Sequence, residues 1–291
     1  MARTVAAKGV RPGTGDTIIR APHGKMGFAS NIGRVRPVDE DSILALEIRT
    51  AFRSEARTRL LLMVADGMGG HRRGDVASRI AVQSVSRTLL PLLMSETDIP
   101  RAIYHDQLRA AIGLANQAII AEAQRHPECE GMGTTLSLAV ADGRTLHVAN
   151  AGDSRAYIVN AREIYQVTRD HSLVQEMVDR GELSPEDARH HPRKNVITMA
   201  LGVYDEVTPD IGCLTVEPSD SILLCCDGLI NHVEDEDIQR VVVETSDPQT
   251  ACDILVALAN KGGGTDNISV IIARAPDQVH AAEVCDERRQ L

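Results

Sequence analysis

The chain has 291 residues, 43% of them hydrophobic and 25% charged, with two Phe, four Tyr and no Trp. That supports one large domain or two small ones around an aliphatic core, and it excludes a reader of single-stranded nucleic acid, which needs aromatic stacking platforms. A formal net charge of −10 excludes a surface that attracts nucleic acid or anionic lipid, so any phosphorylated substrate must meet local cations.

In chain order, residues 1–23 read as a flexible, polar N-terminal arm. Met1–Val10 has basic residues but no apolar h-region, and no stretch approaches ~18 uninterrupted apolar residues. Neither a secretory signal nor membrane insertion is expected, and the setting expected is cytoplasmic. Strand character begins at Met26, and the apolar run Leu60–Ala65 reads as a buried central strand. Asp75 opens a helical pattern through Val76, Ile80, Val85 and Leu89 that Pro91 should stop. A second helix is predicted from about Ile103 to Ala123, ending before Pro127.

Strands then crowd together. Thr134–Val140 and Thr145–Ala149 flank Asp142-Gly143, a hairpin signal, and Arg155–Val159 and Ile164–Thr168 flank a polar turn. Residues 169–205 break into short polar helices. Strands return at Ser221–Cys226 and Ile268–Ala273, with helices near Asp235–Glu244 and Pro248–Asn260 between them. Paired helices and runs of strands exclude an alternating parallel-sheet fold. The expected class is α+β, a four-layer α-β-β-α sandwich of two antiparallel sheets flanked by helix pairs. The six cysteines, Cys129, Cys213, Cys225, Cys226, Cys252 and Cys285, include no C-x-x-C spacing. They are read as reduced, with Cys225 and Cys226 as small buried residues.

Four islands carry the chemistry: Val64–His71 around Asp66, Ala151–Arg155 around Asp153, Leu224–Gly228 around Asp227, and Gly264–Ile268 around Asp266. Each places an Asp at the end of an apolar run beside a glycine or small residue. One such Asp is ordinary turn chemistry. Four, joined by Glu40-Asp41, would repel one another unless cations neutralised them. The candidate ligands are all oxygen: Asp41, Asp66, Asp153, Asp227, Asp266 and the Gly67 carbonyl. Such a set selects Mg²⁺ or Mn²⁺ over Zn²⁺. It holds too many carboxylates for one Mg²⁺, but suits two ions about 3.5–4 Å apart, whose bridging hydroxide attacks a phosphate ester without a phosphoenzyme intermediate. Arg36, five residues before Asp41, can grip two phosphate oxygens at any working pH.

With these motifs the chain resembles the metal-dependent protein phosphatases of the PPM family, the protein phosphatase 2C group, in a bacterial form. The resemblance rests on Gly33–Ser42, Val64–His71, Gly131–Thr135, Asn150–Arg155, Thr168–Ser172, Asn195–Gly202, Cys226–Leu229 and Gly264–Ser269, in the family's order. It implies a phosphatase domain over residues 24–275, with a mobile flap at about 169–205 and a C-terminal tail at 276–291. It implies that Asp66 bridges two Mg²⁺ or Mn²⁺ ions and that the Gly67 carbonyl binds one of them. Asp227 and Asp266 would complete the ligands of the first metal, Asp41 would serve the second metal, and Asp153 a weaker third. Arg36 resembles the phosphate-gripping arginine. The Gly133–Thr135 segment is read as structural. The implied substrates are phosphoserine and phosphothreonine proteins, made by a cognate Ser/Thr kinase in bacterial signalling.

Three positions depart from the family's pattern. Met68 follows Asp-Gly where many eukaryotic members have His, and a thioether cannot protonate a leaving alkoxide. Asp39 replaces a usual Asn, and Met199 stands where bacterial relatives often carry Arg. His71 is a weak alternative acid. His171, His190 and His191 read as structural or surface histidines, His147 as sheet-facing and Asp170 as a helix N-cap. A catalytically dead binding module is the rival reading. It would require loss of a metal Asp or of Arg36, and Arg36, Asp41, Asp66, Asp227 and Asp266 are all present.

Overall fold

The run Leu60–Ala65 lies mid-molecule, each side chain at most 3% exposed. Its alternate residues serve two different cores. Leu61, Met63 and Ala65 join a cluster under one helix pair, while Leu60, Leu62 and Val64 join the cluster between two sheets. A strand buried on both faces has no need of polar alternation, and this is why the run is continuous.

The computed structural model of the chain describes residues 19–20, 25–52, 55–69 and 73–275. The elements begin with β1 (Ile19–Arg20), β2 (Met26–Asn31), β3 (Ser42–Phe52), β4 (Glu55–Ala65) and β5 (Gly67–Met68), then α1 (Gly74–Leu93) and α2 (Arg101–Arg125). The strands β6 (Gly133–Thr134), β7 (Leu136–Asp142), β8 (Thr145–Ala151), β9 (Arg155–Val159) and β10 (Ile164–Gln166) follow. After them come α3 (Leu173–Asp179), α4 (Pro185–His190), β11 (Asp210–Thr215) and β12 (Ser221–Cys225). The chain closes with α5 (Asp227–Ile230), α6 (Asp235–Glu244), α7 (Pro248–Lys261) and β13 (Ile268–Arg274).

One sheet runs β11-β8-β7-β4-β3 and the other β1-β2-β13-β12-β9-β10, with antiparallel pairing throughout. Helices α1 and α2 cover the first sheet through Val85, Leu89, Leu108 and Ile112. Helices α6 and α7 cover the second through Ile238, Val242, Leu255 and Ala259. The four-layer sandwich is as expected, and so is the aliphatic core. Each fully buried Leu or Ile contributes about 1.5–3 kcal/mol. Among the described residues no helix is long and apolar enough to cross a membrane.

Four expectations need correction. Pro91 does not stop α1, which continues to Leu93. The lost backbone bond is offset by Leu89 and Leu93, both at most 1% exposed. The edge strand β11 has no counterpart in the sequence reading, because an edge strand buries one face and leaves a weak apolar signal. Cys129, Cys225, Cys226 and Cys252 are free, but Cys213 is disulfide-bonded. Asp170 does not cap α3; Ser172 does, accepting from the Gln175 amide. Ile19 and Arg20 pair with Ser30 and Ala29; the rest of the expected arm (residues 1–18 and 21–23), and the tail from 276, lie outside the described residues, as does His71.

Candidate metal centre

The strand ends at one edge of the sandwich deliver the acidic side chains. Asp66 follows β4 directly, and its backbone is clamped on both sides. The Asp66 amide donates to Thr135 Oγ1 at 3.0 Å, while its carbonyl accepts from the Thr135 amide at 2.9 Å and from Thr134 Oγ1 at 2.9 Å. The Gly133–Thr135 segment therefore positions Asp66, the structural part expected of it. Gly67 then passes so close to neighbouring backbone that an added Cβ would lie 2.3 Å from the Glu40 carbonyl and 2.4 Å from that of Gly74. Only glycine fits there. At Gly228 the same test meets the Asn267 carbonyl at 1.9 Å, so Asp227 and Asp266 are brought together by backbone contact.

Asp227 opens α5 and accepts from Asn231 Nδ2 at 3.1 Å. Asp153 leaves β8 after Gly152 and is 6% exposed. Asp41 precedes β3, and one carboxylate oxygen each from Asp41 and Asp66 lies within 4.8 Å of the other and of the Cys226 sulfur. Asp266 Oδ1 accepts from the Asn267 amide at 2.8 Å, and its Oδ2 accepts from Arg36 at 2.6 Å.

Crowding of these carboxylates is electrostatically costly. Asp66 is held well above the usual carboxylate range, by burial first and then by Asp41, Asp227, Asp153 and Asp266. Asp41 is pushed up to about 8 by burial, with Asp39 and Asp227 adding to it. Asp227 rises to about 6 through burial and the charge of Asp266, and Asp153 rises well above its range through burial, Asp227 and Asp170. Both Asp41 oxygens, Asp153 Oδ1 and Asp227 Oδ1 are buried with no hydrogen-bond partner. Orphaned, mutually repelling carboxylate oxygens are what hard divalent cations satisfy. The donor set fits Mg²⁺ or Mn²⁺. The nearby Cys226 thiol is raised far above its ordinary value, chiefly by burial, and stays protonated rather than adding a soft ligand.

Some of the supporting residues were not assigned roles from sequence. Asn267 accepts from the Glu40 amide at 2.9 Å and donates to the Ile32 and Val38 carbonyls at 3.0 Å each, so it shapes the loop carrying Arg36 and Asp41. Glu40 in turn accepts from the Gly74 amide at the start of α1, at 3.1 Å. Asp39 accepts from Ser30 Oγ at 2.8 Å and from the Asp41 amide at 3.2 Å. Asp170 forms a bidentate pair with Arg155, at 2.9 and 2.7 Å, which braces the turn that presents Asp153. His171 is structural as expected: Nδ1 accepts from the Gly152 amide at 3.1 Å and Nε2 pairs with Asp210 at 3.0 Å. Met199 packs on the cluster under α1 and α2, which makes it part of the core.

A groove of about 550 Å³ runs from Asp153 and Asp227 along the 169–205 segment, where Arg189 and Lys194 line it. Lys194 Nζ donates to Asn231 Oδ1 at 2.8 Å, tying that segment to α5.

Comparison with known proteins matches this geometry. The family model described as protein phosphatase 2C matches residues 47–259. The serine/threonine phosphatase Stp of Listeria monocytogenes is 37% identical over 248 residues, covering 84% of this chain and 93% of its own. The crystal structure of the Mycobacterium tuberculosis serine/threonine phosphatase PstP superposes with a TM-score of 0.73 at 36% identity, covering 86% of this chain and 98% of that one. A structure of the PstP catalytic domain in complex with two manganese ions gives a TM-score of 0.72 at 34% identity, covering 90% and 100%. With these matches across the sandwich and its acidic edge, the chain belongs to the protein phosphatase 2C family.

Proposed function

We propose that the chain hydrolyses phosphoserine and phosphothreonine monoesters in proteins, with two Mg²⁺ or Mn²⁺ ions held at the acidic edge. One observation carries the reading: four buried carboxylate oxygens, on Asp41, Asp153 and Asp227, have no hydrogen-bond partner and surround Asp66. Asp66 would be shared between the two ions, with the Gly67 carbonyl, Asp227 and Asp266 on one, Asp41 on the other, and Asp153 offering a weaker third position. Bound there, the ions supply a water acidic enough to attack phosphorus near neutral pH and neutralise charge on the phosphoryl oxygens.

The chain's own residues do the rest. Arg36 stands at the rim with its side chain 42% exposed, one nitrogen engaged by Asp266 and others available to phosphate oxygens. The Thr134–Thr135 clamp and Asn267 fix Asp66 and the Arg36 loop before substrate arrives, so little reorganisation remains at the moment of reaction. Met68 offers no proton to the leaving alkoxide. Phosphoproteins made by a Ser/Thr kinase would be the partners, their flanking residues meeting Arg189 and Lys194 in the groove. A cytoplasmic, signalling role follows from that pairing.

The test is phosphate release from p-nitrophenyl phosphate and a phosphothreonine peptide with Mn²⁺ or Mg²⁺, repeated with EDTA. Metal-dependent release from both is expected. A folded protein inactive under every metal would favour the binding-module reading.

A further inference from the structure

Helix α4 contains no buried residue, so apolar packing contributes little to holding it and polar contacts must. Two such contacts join this part of the 169–205 segment to the helices beside the carboxylates. Arg189 pairs with Glu234, and with Asp235 at 3.6 Å, where α6 begins. The Glu234 side chain is 65% exposed, so that pair is largely screened by water. Lys194, four residues past the end of α4, donates from Nζ to Asn231 Oδ1 at 2.8 Å, and both residues are half-buried. Two residues further the chain is pinned. The Val196 carbonyl accepts from the Leu173 amide and the Thr198 amide donates to the His171 carbonyl, both at 2.8 Å. The Lys194 bond is thus the shielded contact between a loosely held helix and a fixed return.

The other end of the Asn231 side chain reaches the site. Asn231 closes α5, its backbone amide donating to the Asp227 carbonyl at 2.9 Å and its Nδ2 donating to Asp227 Oδ2 at 3.1 Å. The second oxygen, Asp227 Oδ1, is buried with no hydrogen-bond partner. One carboxylate oxygen is therefore held by an amide, and the other is left for a cation. A carboxamide has an acceptor end and a donor end, and this one has committed both. Turned over, it would set its NH₂ group against the Lys194 ammonium and its carbonyl oxygen against the Asp227 carboxylate, and both contacts would repel. The Lys194 charge thus selects the orientation in which Asn231 steadies Asp227.

Resting on the reading of Asp227 as a metal ligand, we propose that Lys194 and Asn231 are positioning residues that couple the seating of residues 185–196 to occupation of the metal site. By linkage the coupling is reciprocal: whatever the Lys194 contact adds to metal affinity, a bound ion returns to the Lys194 contact. A metal-loaded site then holds the stretch against α5, and a stripped site lets it loosen. The sign of the effect separates this role from plain electrostatics. Lys194 is a cation beside a cation site, so on charge alone its loss would tighten metal binding. Through positioning, its loss weakens that binding.

The test is calorimetric titration of the metal-stripped full chain with Mn²⁺, which needs no turnover. Lys194→Met, close in volume to the original, should weaken Mn²⁺ binding about fivefold or more, the low end of ordinary coupling between sites. Lys194→Arg keeps a cationic donor and should recover most of the affinity. Asn231→Ala should lose at least as much as Lys194→Met, and combining the two should change little further, because the lysine acts through the amide. Hydrogen exchange at the amides of residues 185–196 should slow on adding Mn²⁺ to wild type, and Lys194→Met should lose that slowing. Circular dichroism verifies that each variant folds, and the half-buried Lys194→Met carries the test if Asn231→Ala does not. The proposal is overturned if wild type binds Mn²⁺ and folded Lys194→Met binds it as tightly or more tightly. It is also overturned if the two losses add in the double variant, or if exchange slows equally in wild type and Lys194→Met. No Mn²⁺ binding by folded wild type would instead overturn the metal-site reading itself, and this coupling with it.

Discussion

Arg36 and Asp266, 230 positions apart in the chain, meet at 2.6 Å. The guanidinium read as the grip for phosphate is therefore oriented by a carboxylate read as a metal ligand. One side chain couples the two halves of the site. The coupling holds because Asp266 has two oxygens with different partners, Oδ1 on the Asn267 amide and Oδ2 on Arg36.

Arg36→Ala should lower kcat/KM on a phosphothreonine peptide about ten- to a hundredfold, the size expected when charge-assisted hydrogen bonds to the bound phosphate are lost. Most of the change should fall in KM. Arg36→Lys should recover little, since an ammonium cannot keep the Asp266 contact and grip two phosphate oxygens in the same geometry. Steady-state kinetics at saturating Mn²⁺ measure both. Near-complete rescue by Lys would contradict the bidentate role.

Asn267→Ala should destabilise the protein by about 2–4 kcal/mol, because it leaves the Glu40 amide and the Ile32 and Val38 carbonyls without their partner. Urea denaturation at fixed Mn²⁺ reads the loss. Mn²⁺ should also bind more weakly to the variant, because the loop bearing Asp41 and Arg36 is no longer pinned.

The fold was legible where burial on both faces produced continuous apolar runs, as in Leu60–Ala65 and Ser221–Cys225, and where turn chemistry was local, as at Asp142-Gly143. The acidic site was legible because Asp66, Asp153 and Asp227 each follow such a run, while Asp41 and Asp266 stand just before one. What escaped was long-range or one-sided. The edge strand β11 carries Gly212 and Cys213 and buries one face. The hydrogen bonds of Asn267 reach backbone more than 220 residues away, and no spacing rule encodes them. Asp170 is read as a cap because a helix begins three residues on, whereas its partner, Arg155, lies on β9 fifteen residues earlier. The disulfide of Cys213 likewise leaves no local mark.

Metal-stripped protein should lose stability as pH rises from about 6.5 to 8. Asp41 titrates near 8 in the fold, and Asp66 and Asp153 are also raised, whereas unfolded carboxylates titrate near 4. The folded state then binds more protons than the unfolded state, so the slope of stability with pH is negative. Burial depresses His147 and so acts in the opposite sense, but an unfolded histidine titrates near 6.5, which confines that effect to the low end of the window. Thermal melts in EDTA should show Tm falling through this window, with a shallower fall in Asp41→Asn. Saturating Mn²⁺ should raise Tm by more at pH 8 than at pH 6.5. A rising Tm in EDTA would contradict the reading.

Met68→His should raise kcat on a phosphothreonine peptide about tenfold or more by supplying a proton to the alkoxide, while p-nitrophenyl phosphate, with its good leaving group, should change little. Parallel increases on both substrates would show that the gain has another origin.

The most direct test is the turnover of Asp66→Asn on a phosphothreonine peptide at saturating Mn²⁺, with folding verified by circular dichroism. If Asp66 is the carboxylate shared by two ions, kcat should fall at least about a thousandfold and added Mn²⁺ should not restore it. Turnover within tenfold of wild type would contradict the two-metal assignment.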